Sequence, residues 1–198
     1  MKIGIFGGTF DPIHIAHVAL AVTFREQMAL DEVWFLITPQ NPWKQGSTLS
    51  ADNQRLRMAQ LAIKGKQGLV ASDFEFHLEK PTYTYITLSH LRREYPEHSF
   101  TLLVGGDNWA KFDHWAHFDE ILLHHPIAVY PRQDCSIETP DAIKNVQHEL
   151  HILQAPELPL SSTVIRSLVG EGSCIEGLVH PSVEQYIHDN HLYETPLR

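Results

Sequence analysis

Short apolar runs alternate with helix-like segments along this chain, and this alternation limits the fold more than any other feature of the sequence. The runs are rich in β-branched and aromatic residues and cover residues 2–6, 32–38, 69–76, 100–104, 127–130 and, less clearly, 151–154. Helix patterns lie between or after most of them, at residues 15–28, 51–64, 83–95, 118–124, 162–169 and 181–191. Strands that alternate with helices form crossover units. We therefore predict an α/β fold with a doubly wound, mostly parallel sheet and helices on both faces.

Capping and breaking residues at the ends of these patterns support the helices. Predicted starts are marked by Ser50, Thr82, Ser161 or Ser162, and Pro181, and predicted ends by Gly65, Pro96, and Gly170 or Gly172. A chain of 198 residues and 22.6 kDa fits a single domain with a substantial core. We expect residues 1–198 to form that domain, with the part from about residue 156 as a helical lobe.

Composition narrows the class of protein. The formal net charge of −9 argues against a nucleic-acid binder, which would carry a basic patch or stripe. No stretch approaches the ~18 apolar residues that a membrane-spanning helix requires. The sequence begins with a strand pattern rather than a secretory signal, and Cys135 and Cys174 have no metal-like spacing. We expect a cytoplasmic protein that binds neither nucleic acid nor membrane.

A glycine-rich stretch follows the first apolar run directly. Residues 7–12 read Gly-Gly-Thr-Phe-Asp-Pro, and His14 and His17 follow at the start of the helix pattern. Glycines allow close approach of a bulky anion, and the amides at a helix N-terminus can donate to phosphate oxygens. Histidines three residues apart lie on one helix face. The stretch therefore predicts a phosphate site, whereas three other pairs with this histidine spacing follow no glycines: His114/His117, His148/His151 and His188/His191.

Further unusual segments follow other predicted strands. They are residues 39–44 with Lys44, residues 105–108 (Gly-Gly-Asp-Asn) and residues 131–132 with Arg132. In parallel sheets, ligands bind beyond the carboxyl ends of the strands, near the point where the strand order reverses. Because the segments share that edge, we predict one site, to which Lys44, Arg132 and Arg166 bring positive charge.

Common phosphate and hydrolase motifs are missing. The sequence has no Gly-Lys-Ser/Thr of a P-loop, and its first glycines do not fit Gly-x-Gly-x-x-Gly. It also lacks a Gly-x-Ser-x-Gly elbow. Kinase-like, dehydrogenase-like and α/β-hydrolase chemistry are therefore disfavoured.

Two signatures resemble those of a known superfamily. Residues 7–17 are similar to the first signature of the nucleotidyltransferases that carry a His-x-Gly-His motif. Residues 160–166 (Leu-Ser-Ser-Thr-Val-Ile-Arg) resemble their second, usually Ile-Ser-Ser-Thr-x-Ile-Arg. Residues 81–88 and 103–108, the latter leading to Trp115, are similar to nicotinate-nucleotide adenylyltransferases. The resemblance implies a Rossmann-like nucleotidyltransferase fold and adenylyl transfer from ATP, with Mg²⁺, to nicotinate mononucleotide in NAD biosynthesis.

The resemblance also implies roles for individual residues. The implied catalytic residues are His14, His17, Lys44 and Arg166, and those for ATP are Gly7, Gly8, Thr9, Phe10, Gly105, Asp107, Ser162, Thr163 and Arg166. Asp107 is the implied ribose-binding carboxylate, although a turn or cap after Gly-Gly is the ordinary explanation. The implied residues for the mononucleotide are Asn41, Thr84, Trp115 and Arg132, with Trp115 stacking on the pyridine ring or, alternatively, anchoring the core.

Several alternatives stay open at this point. The acceptor could be nicotinamide mononucleotide or phosphopantetheine, and the oligomeric state is not fixed, with a homo-oligomer compatible with the sequence. Ala16 stands where the superfamily has glycine between the histidines, so a non-catalytic nucleotide sensor is another reading. The 14 histidines also suggest a metal-binding protein as an alternative. This alternative is disfavoured because the histidine pairs are scattered and have no clear third ligand. We predict no protein-held metal site.

Overall fold

A six-stranded parallel sheet forms the centre of the computed structural model, which describes residues 1–39, 49–131, 137–155 and 159–194. The strands are β1 (Lys2–Gly8), β2 (Glu32–Ile37), β3 (Leu69–Ser72), β4 (Ser99–Gly105), β5 (Ile127–Tyr130) and β6 (Leu150–Ile152). Their order is β3-β2-β1-β4-β5-β6, and every neighbouring pair is parallel. The order therefore reverses at β1, which pairs with β2 on one side and β4 on the other.

Helices cover this sheet. They are α1 (Ile15–Gln27), α2 (Asp52–Ala62), α3 (Thr84–Glu94), α4 (Gly106–Trp109), α5 (Phe118–His124), α6 (Ser162–Gly170) and α7 (Pro181–Asp189). Within the described residues, the 3-10 helices Phe74–His77 and Phe112–His114 lie in the connections.

Two hydrophobic cores show that helices pack on both faces of the sheet. Along β2, Phe35 belongs to one core and Leu36 to the other, as expected where successive side chains point to opposite faces. The first core contains buried residues of α1, α2, α6 and α7, and the second contains those of α3, α4 and α5. The predicted doubly wound α/β architecture is confirmed.

Several element boundaries differ from the prediction. The run at residues 69–76 is a strand only to Ser72, after which the chain turns into a 3-10 helix that buries Glu75. The short α4 and the second 3-10 helix were not predicted, because four or three residues are too few to establish a helical period.

The predicted helix caps are partly correct. Ser161 caps α6 by accepting the Val164 amide at 3.3 Å. Ser50 and Thr82 lie one residue before the observed cap positions of α2 and α3. The boundary near residue 156 lies outside the described residues, and the single-domain organisation with a helical lobe stays a prediction. Within the described residues, no helix is long and apolar enough to cross a membrane.

His125, just after α5, makes stability depend on pH. Its side chain is buried, and its Nδ1 lies 3.1 Å from the Phe100 carbonyl oxygen. Burial lowers the pKa of His125 from 6.5 to about 4, since a buried imidazolium loses its hydration. The unfolded chain therefore binds a proton below about pH 6.5, whereas the folded chain does not until about pH 4.

We expect the unfolding free energy to fall by about 2–3 kcal/mol from this residue as the pH drops through that window. Denaturant titrations between pH 7 and pH 4 measure the change. In His125→Asn, which keeps a donor for the Phe100 carbonyl but does not titrate, the fall should be smaller by that amount. His188→Asn removes an exposed histidine of α7 and should keep the wild-type slope; equal slopes in both variants would contradict the assignment.

Candidate active site

The predicted site lies along the carboxyl edge of the sheet. Because all paired strands are parallel, the carboxyl ends of β1, β2, β4 and β5 lie at the same edge of the sheet. The Thr38 amide donates to the Gly8 carbonyl at 2.9 Å, which joins the ends of β2 and β1. The crevice next to β1, where the strand order reverses, is where such folds bind ligands.

The two glycines form the end of β1 rather than a turn, which corrects the predicted strand end at residue 6. Gly7 and Gly8 continue the parallel ladder opposite Leu36 and Ile37 of β2. A Cβ at Gly8 would lie 3.0 Å from the Phe10 ring, so packing explains that glycine. A Cβ at Gly7 would meet no described atom within 4 Å. Gly7 therefore leaves the space open into which a ligand can approach.

The connection from β1 to α1 holds the two predicted histidines together. Their rings stack with centroids 3.6 Å apart, and His14 caps the helix while His17 sits in its first turn. The main-chain amide of His14 donates to Nδ1 of His17 at 3.2 Å. A neutral His17 that accepts at Nδ1 carries its proton on Nε2. His17 is thereby set as a hydrogen-bond donor through its outer nitrogen.

Phe10 fixes the shape of this connection. It adopts a left-handed conformation with φ +48 and is buried. Its ring packs edge-on against Phe6, Phe35 and His17 at centroid distances of 5.3, 5.4 and 5.1 Å. The loop is therefore anchored in the core beneath the histidines.

The second signature contacts the first one directly. Arg166 of α6 donates through Nη1 to the Asp11 carbonyl at 2.7 Å, and the Ser162 hydroxyl donates to the Pro12 carbonyl at 2.9 Å. Arg166 also donates through Nη2 to the Thr163 hydroxyl oxygen at 3.2 Å. A guanidinium carries five N–H donors, so this residue can hold the loop and still bind an anion. Two segments that are about 150 residues apart in the sequence meet at one edge.

Arg55 of α2 supports this arrangement and was missed by the sequence analysis. It is fully buried, although arginine is rarely buried without partners. Its guanidinium donates to the carbonyl oxygens of Ser50, Thr9 and Thr38 at 3.0, 2.7 and 2.9 Å and to the Asp52 carboxylate at 2.5 Å. One side chain thus connects the ends of β1 and β2 with the start of α2.

The end of β4 brings Asp107 to the neighbouring position on the edge. Asp107 lies in α4, half-buried, two residues after the strand. A Cβ at Gly105 would lie 2.6 Å from the Asp107 carboxylate and 3.1 Å from the Tyr130 ring. Glycine at this position therefore leaves room for the Asp107 carboxylate in its observed conformation beside the strand end.

Thr84 and Trp115 lie on two connections that touch each other. Thr84 begins α3, and the ring of the adjacent Tyr85 lies 4.2 Å from that of His117, two residues beyond Trp115. Trp115 is half-buried and packs on Phe112 at 4.8 Å. Trp115 therefore contacts the core with one part of its surface and keeps another part accessible.

Buried Glu75 supports the start of α3. It accepts a hydrogen bond from the Thr87 hydroxyl at 2.7 Å, and burial raises its pKa. Glu75 lies within the run predicted as a strand, so this contact was not predicted.

Three of the predicted site residues cannot be placed. Asn41, Lys44 and Arg132 lie outside the described residues, as does most of the loop at 39–46.

Comparison with known proteins identifies the family to which this chain belongs. The family model for cytidylyltransferase-like proteins matches residues 5–168. A Bacteroides fragilis protein named probable nicotinate-nucleotide adenylyltransferase is 45% identical over 94% of this chain and 90% of its own length. The chain belongs to the nicotinate-nucleotide adenylyltransferase family. A second relative with this name, from Flavobacterium johnsoniae, is 41% identical over 98% of this chain and 100% of its own length.

Solved structures of nicotinate-nucleotide adenylyltransferases share the fold. The Plasmodium falciparum nicotinic acid mononucleotide adenylyltransferase complexed with NaAD superposes with a TM-score of 0.80 at 22% identity and covers 97% of both chains. The same enzyme complexed with APC gives a TM-score of 0.78. The predicted Rossmann-like nucleotidyltransferase fold is confirmed, and the family membership agrees with the resemblance in the two signatures.

Proposed function

We propose that this chain transfers the adenylyl group of ATP to nicotinate mononucleotide, giving nicotinate adenine dinucleotide and pyrophosphate. Membership of the family supports the reaction. The observation that carries the proposal for these residues is the contact between the two signatures, Arg166 Nη1 to the Asp11 carbonyl at 2.7 Å. That contact supports the proposal because it joins the two segments that are proposed to bind anions at one edge of the sheet.

The reaction needs positioning more than acid–base chemistry. A phosphate oxygen of the mononucleotide attacks the α-phosphorus of ATP, and the bond from that phosphorus to the bridging oxygen of the β-phosphate breaks. The electron pair of this bond goes to the leaving pyrophosphate. The attacking phosphate is already anionic near neutral pH. The protein therefore has to align the reactants and stabilise negative charge on the leaving group.

The first signature supplies donors for that charge. His17 presents Nε2–H because its Nδ1 is engaged by the His14 amide. His14, stacked on it, and the amides of Thr9 and Phe10 complete this side of the proposed phosphate site. The open space at Gly7, with Gly8 beside it, lets the phosphates approach the strand end.

The second signature binds the β- and γ-phosphates in this proposal. Ser162 and Thr163 begin α6, where free amides and the helix dipole favour anions. Arg166 adds a full positive charge next to them. Lys44 is proposed to neutralise phosphate from its loop.

The acceptor side is proposed to lie across β4. Asp107, next to Gly105, would bind a ribose hydroxyl of ATP, whereas on the acceptor side Trp115 would stack on the pyridine ring and Thr84 would help to recognise the carboxylate. Asn41 and Arg132 complete this proposed set.

Magnesium fits this site as part of the nucleotide substrate. Among the described residues, no group of three or more His, Cys, Asp or Glu side chains could hold a metal ion. Mg²⁺ is commonly carried by substrate phosphates with few protein ligands. We therefore propose that the chain takes up the Mg²⁺ complex of ATP. Cytoplasmic location, absence of nucleic-acid binding and the oligomeric state stay predictions.

The proposed reaction is tested by pyrophosphate release from purified protein with ATP, Mg²⁺ and one acceptor at a time. We expect the highest kcat/KM with nicotinate mononucleotide and lower values with nicotinamide mononucleotide and phosphopantetheine. Preference for another acceptor would contradict the substrate assignment. If the protein bound ATP but released no pyrophosphate in the presence of any acceptor, it would instead be the non-catalytic nucleotide sensor that Ala16 suggests as an alternative.

A further inference from the structure

Asp11 connects three separate parts of the chain at the base of the candidate phosphate site. It is 1% exposed. Its carboxylate accepts the Tyr193 hydroxyl at 2.5 Å through Oδ1 and the Ser50 amide at 3.2 Å through Oδ2. Its main-chain carbonyl accepts Arg166. The loop that carries His14 is thereby held by the segment after α7, by the segment before α2 and by α6.

Tyr193 is built into this network from a distant part of the sequence. It lies after α7, 182 positions from Asp11, and adopts a left-handed conformation with φ +64. Burial, together with the neighbouring Asp11 charge, raises the pKa of the tyrosine well above its usual range. The hydroxyl therefore remains a protonated donor to the carboxylate at neutral pH.

The energetic importance of this bond follows from the burial of its acceptor. A buried carboxylate that loses a donor pays a large desolvation penalty, and hydrogen bonds to charged groups are stronger than neutral ones. Among the described residues, the positive groups near Asp11 include the guanidinium of Arg166, bonded to its carbonyl, and that of Arg55, bonded to Thr9 and Ser50. Without the tyrosine hydroxyl, we expect the loop to shift until the carboxylate finds another donor.

We propose that Tyr193 is a positioning residue for the triphosphate site, acting through Asp11 on the loop of the first signature and on Arg166. The kinetic part of this inference, an effect on KM for ATP, rests on the proposed function. Tyr193 touches no reacting atom in this scheme. It orders the groups that bind ATP, and we expect it to have no effect on the part of the site across β4 that binds the mononucleotide.

The kinetic test is Tyr193→Phe, which removes only the hydroxyl. We expect KM for ATP to rise about fivefold to tenfold, the effect of partly losing a hydrogen bond to a charged group. KM for nicotinate mononucleotide should stay within about twofold of the wild-type value. Tyr186→Phe is the matched control, because Tyr186 is also half-buried against the same core and none of the hydrogen bonds described for Asp11 involves it. It should leave both KM values unchanged. Equal changes in both KM values for Tyr193→Phe, or none, would overturn the inference.

A double-mutant cycle tests whether the effect passes through Asp11. Asp11→Asn removes the buried charge, so adding Tyr193→Phe to it should change KM for ATP much less than Tyr193→Phe does alone. Additive effects of the two substitutions would show that the tyrosine acts by another route.

Hydrogen exchange separates this inference from the proposed reaction. In Tyr193→Phe, the amides of residues 8–17 and of Ser50 should exchange faster, whereas β4 and β5 should keep wild-type protection. Faster exchange throughout the protein would indicate a general structural role and overturn the inference. If wild-type protein released no pyrophosphate, the proposed function would fail, and exchange with and without a non-hydrolysable ATP analogue would still decide the role of Tyr193.

Discussion

Replacing His17 by alanine is expected to lower kcat by about 100-fold to 1000-fold while the fold is retained. Loss of one donor that stabilises developing charge typically has an effect of about this size. His17 suits this role because the His14 amide donates to its Nδ1, so the neutral ring carries its proton on Nε2 and can act as a donor there. The side chain is only half-buried at the start of α1, so its removal leaves the core intact. Steady-state pyrophosphate release with saturating ATP and mononucleotide measures the loss, and circular dichroism checks the fold.

His188→Ala provides the control for this experiment. His188 belongs to another pair with the same spacing, but it is exposed on α7 and follows no glycine-rich loop. Its replacement should leave kcat unchanged. Equal activity of the His17 and His188 variants would show that His17 has no part in the reaction.

Replacing Arg55 by alanine is expected to destabilise the protein by about 3–5 kcal/mol, because it removes a fully buried side chain and leaves several carbonyl acceptors without their donor. The substitution leaves a cavity and deprives the carbonyls of Thr9, Thr38 and Ser50 of their donor. For a chain of this size, about 2–4 °C per kcal/mol corresponds to a fall in Tm of roughly 10 °C. Thermal unfolding followed by circular dichroism measures it.

Arg57→Ala tests whether burial is the cause. Arg57 lies on the exposed side of the same helix, two residues away, and the substitution removes the same charge. We expect its Tm to stay within about 2 °C of the wild type, because exposed substitutions usually change stability by less than about 0.5 kcal/mol. Similar losses in the two variants would mean that charge or helix propensity, rather than the buried contacts, sets the stability.

The fold was predictable because each strand carries its own signal. The apolar runs of β1, β2, β4 and β5 are buried on both faces and read as continuous hydrophobic stretches, as is usual in parallel sheets. The boundaries were less predictable. The glycines after Phe6 suggested a turn. Gly7 and Gly8 instead pair with β2, because strand pairing uses main-chain groups and does not require a side chain.

The site was predictable where the chemistry is concentrated in short motifs, and the supporting residues were not. His14, His17 and Arg166 stand in compact signatures. Arg55 instead occupies the first position of the buried stripe of α2, ahead of Met58, Ala59 and Ala62 at helical spacing. An arginine in such a stripe is a signal that could have been read.

Tyr193 offered no comparable signal. Its partner Asp11 is 182 residues away, and nothing local to an aromatic residue after a terminal helix indicates a contact with the first loop. Tertiary contacts of this kind depend on how the elements pack, which neither periodicity nor capping specifies.

We propose above all that the loop after β1 and the start of α6 bind one triphosphate together. A crystal structure of the protein with a non-hydrolysable ATP analogue and Mg²⁺ tests it most directly. We expect the phosphates to lie between Nε2 of His17 and the guanidinium of Arg166, with hydrogen bonds to the amides at the start of α6. A triphosphate bound elsewhere, or held by only one of the two signatures, would contradict the account.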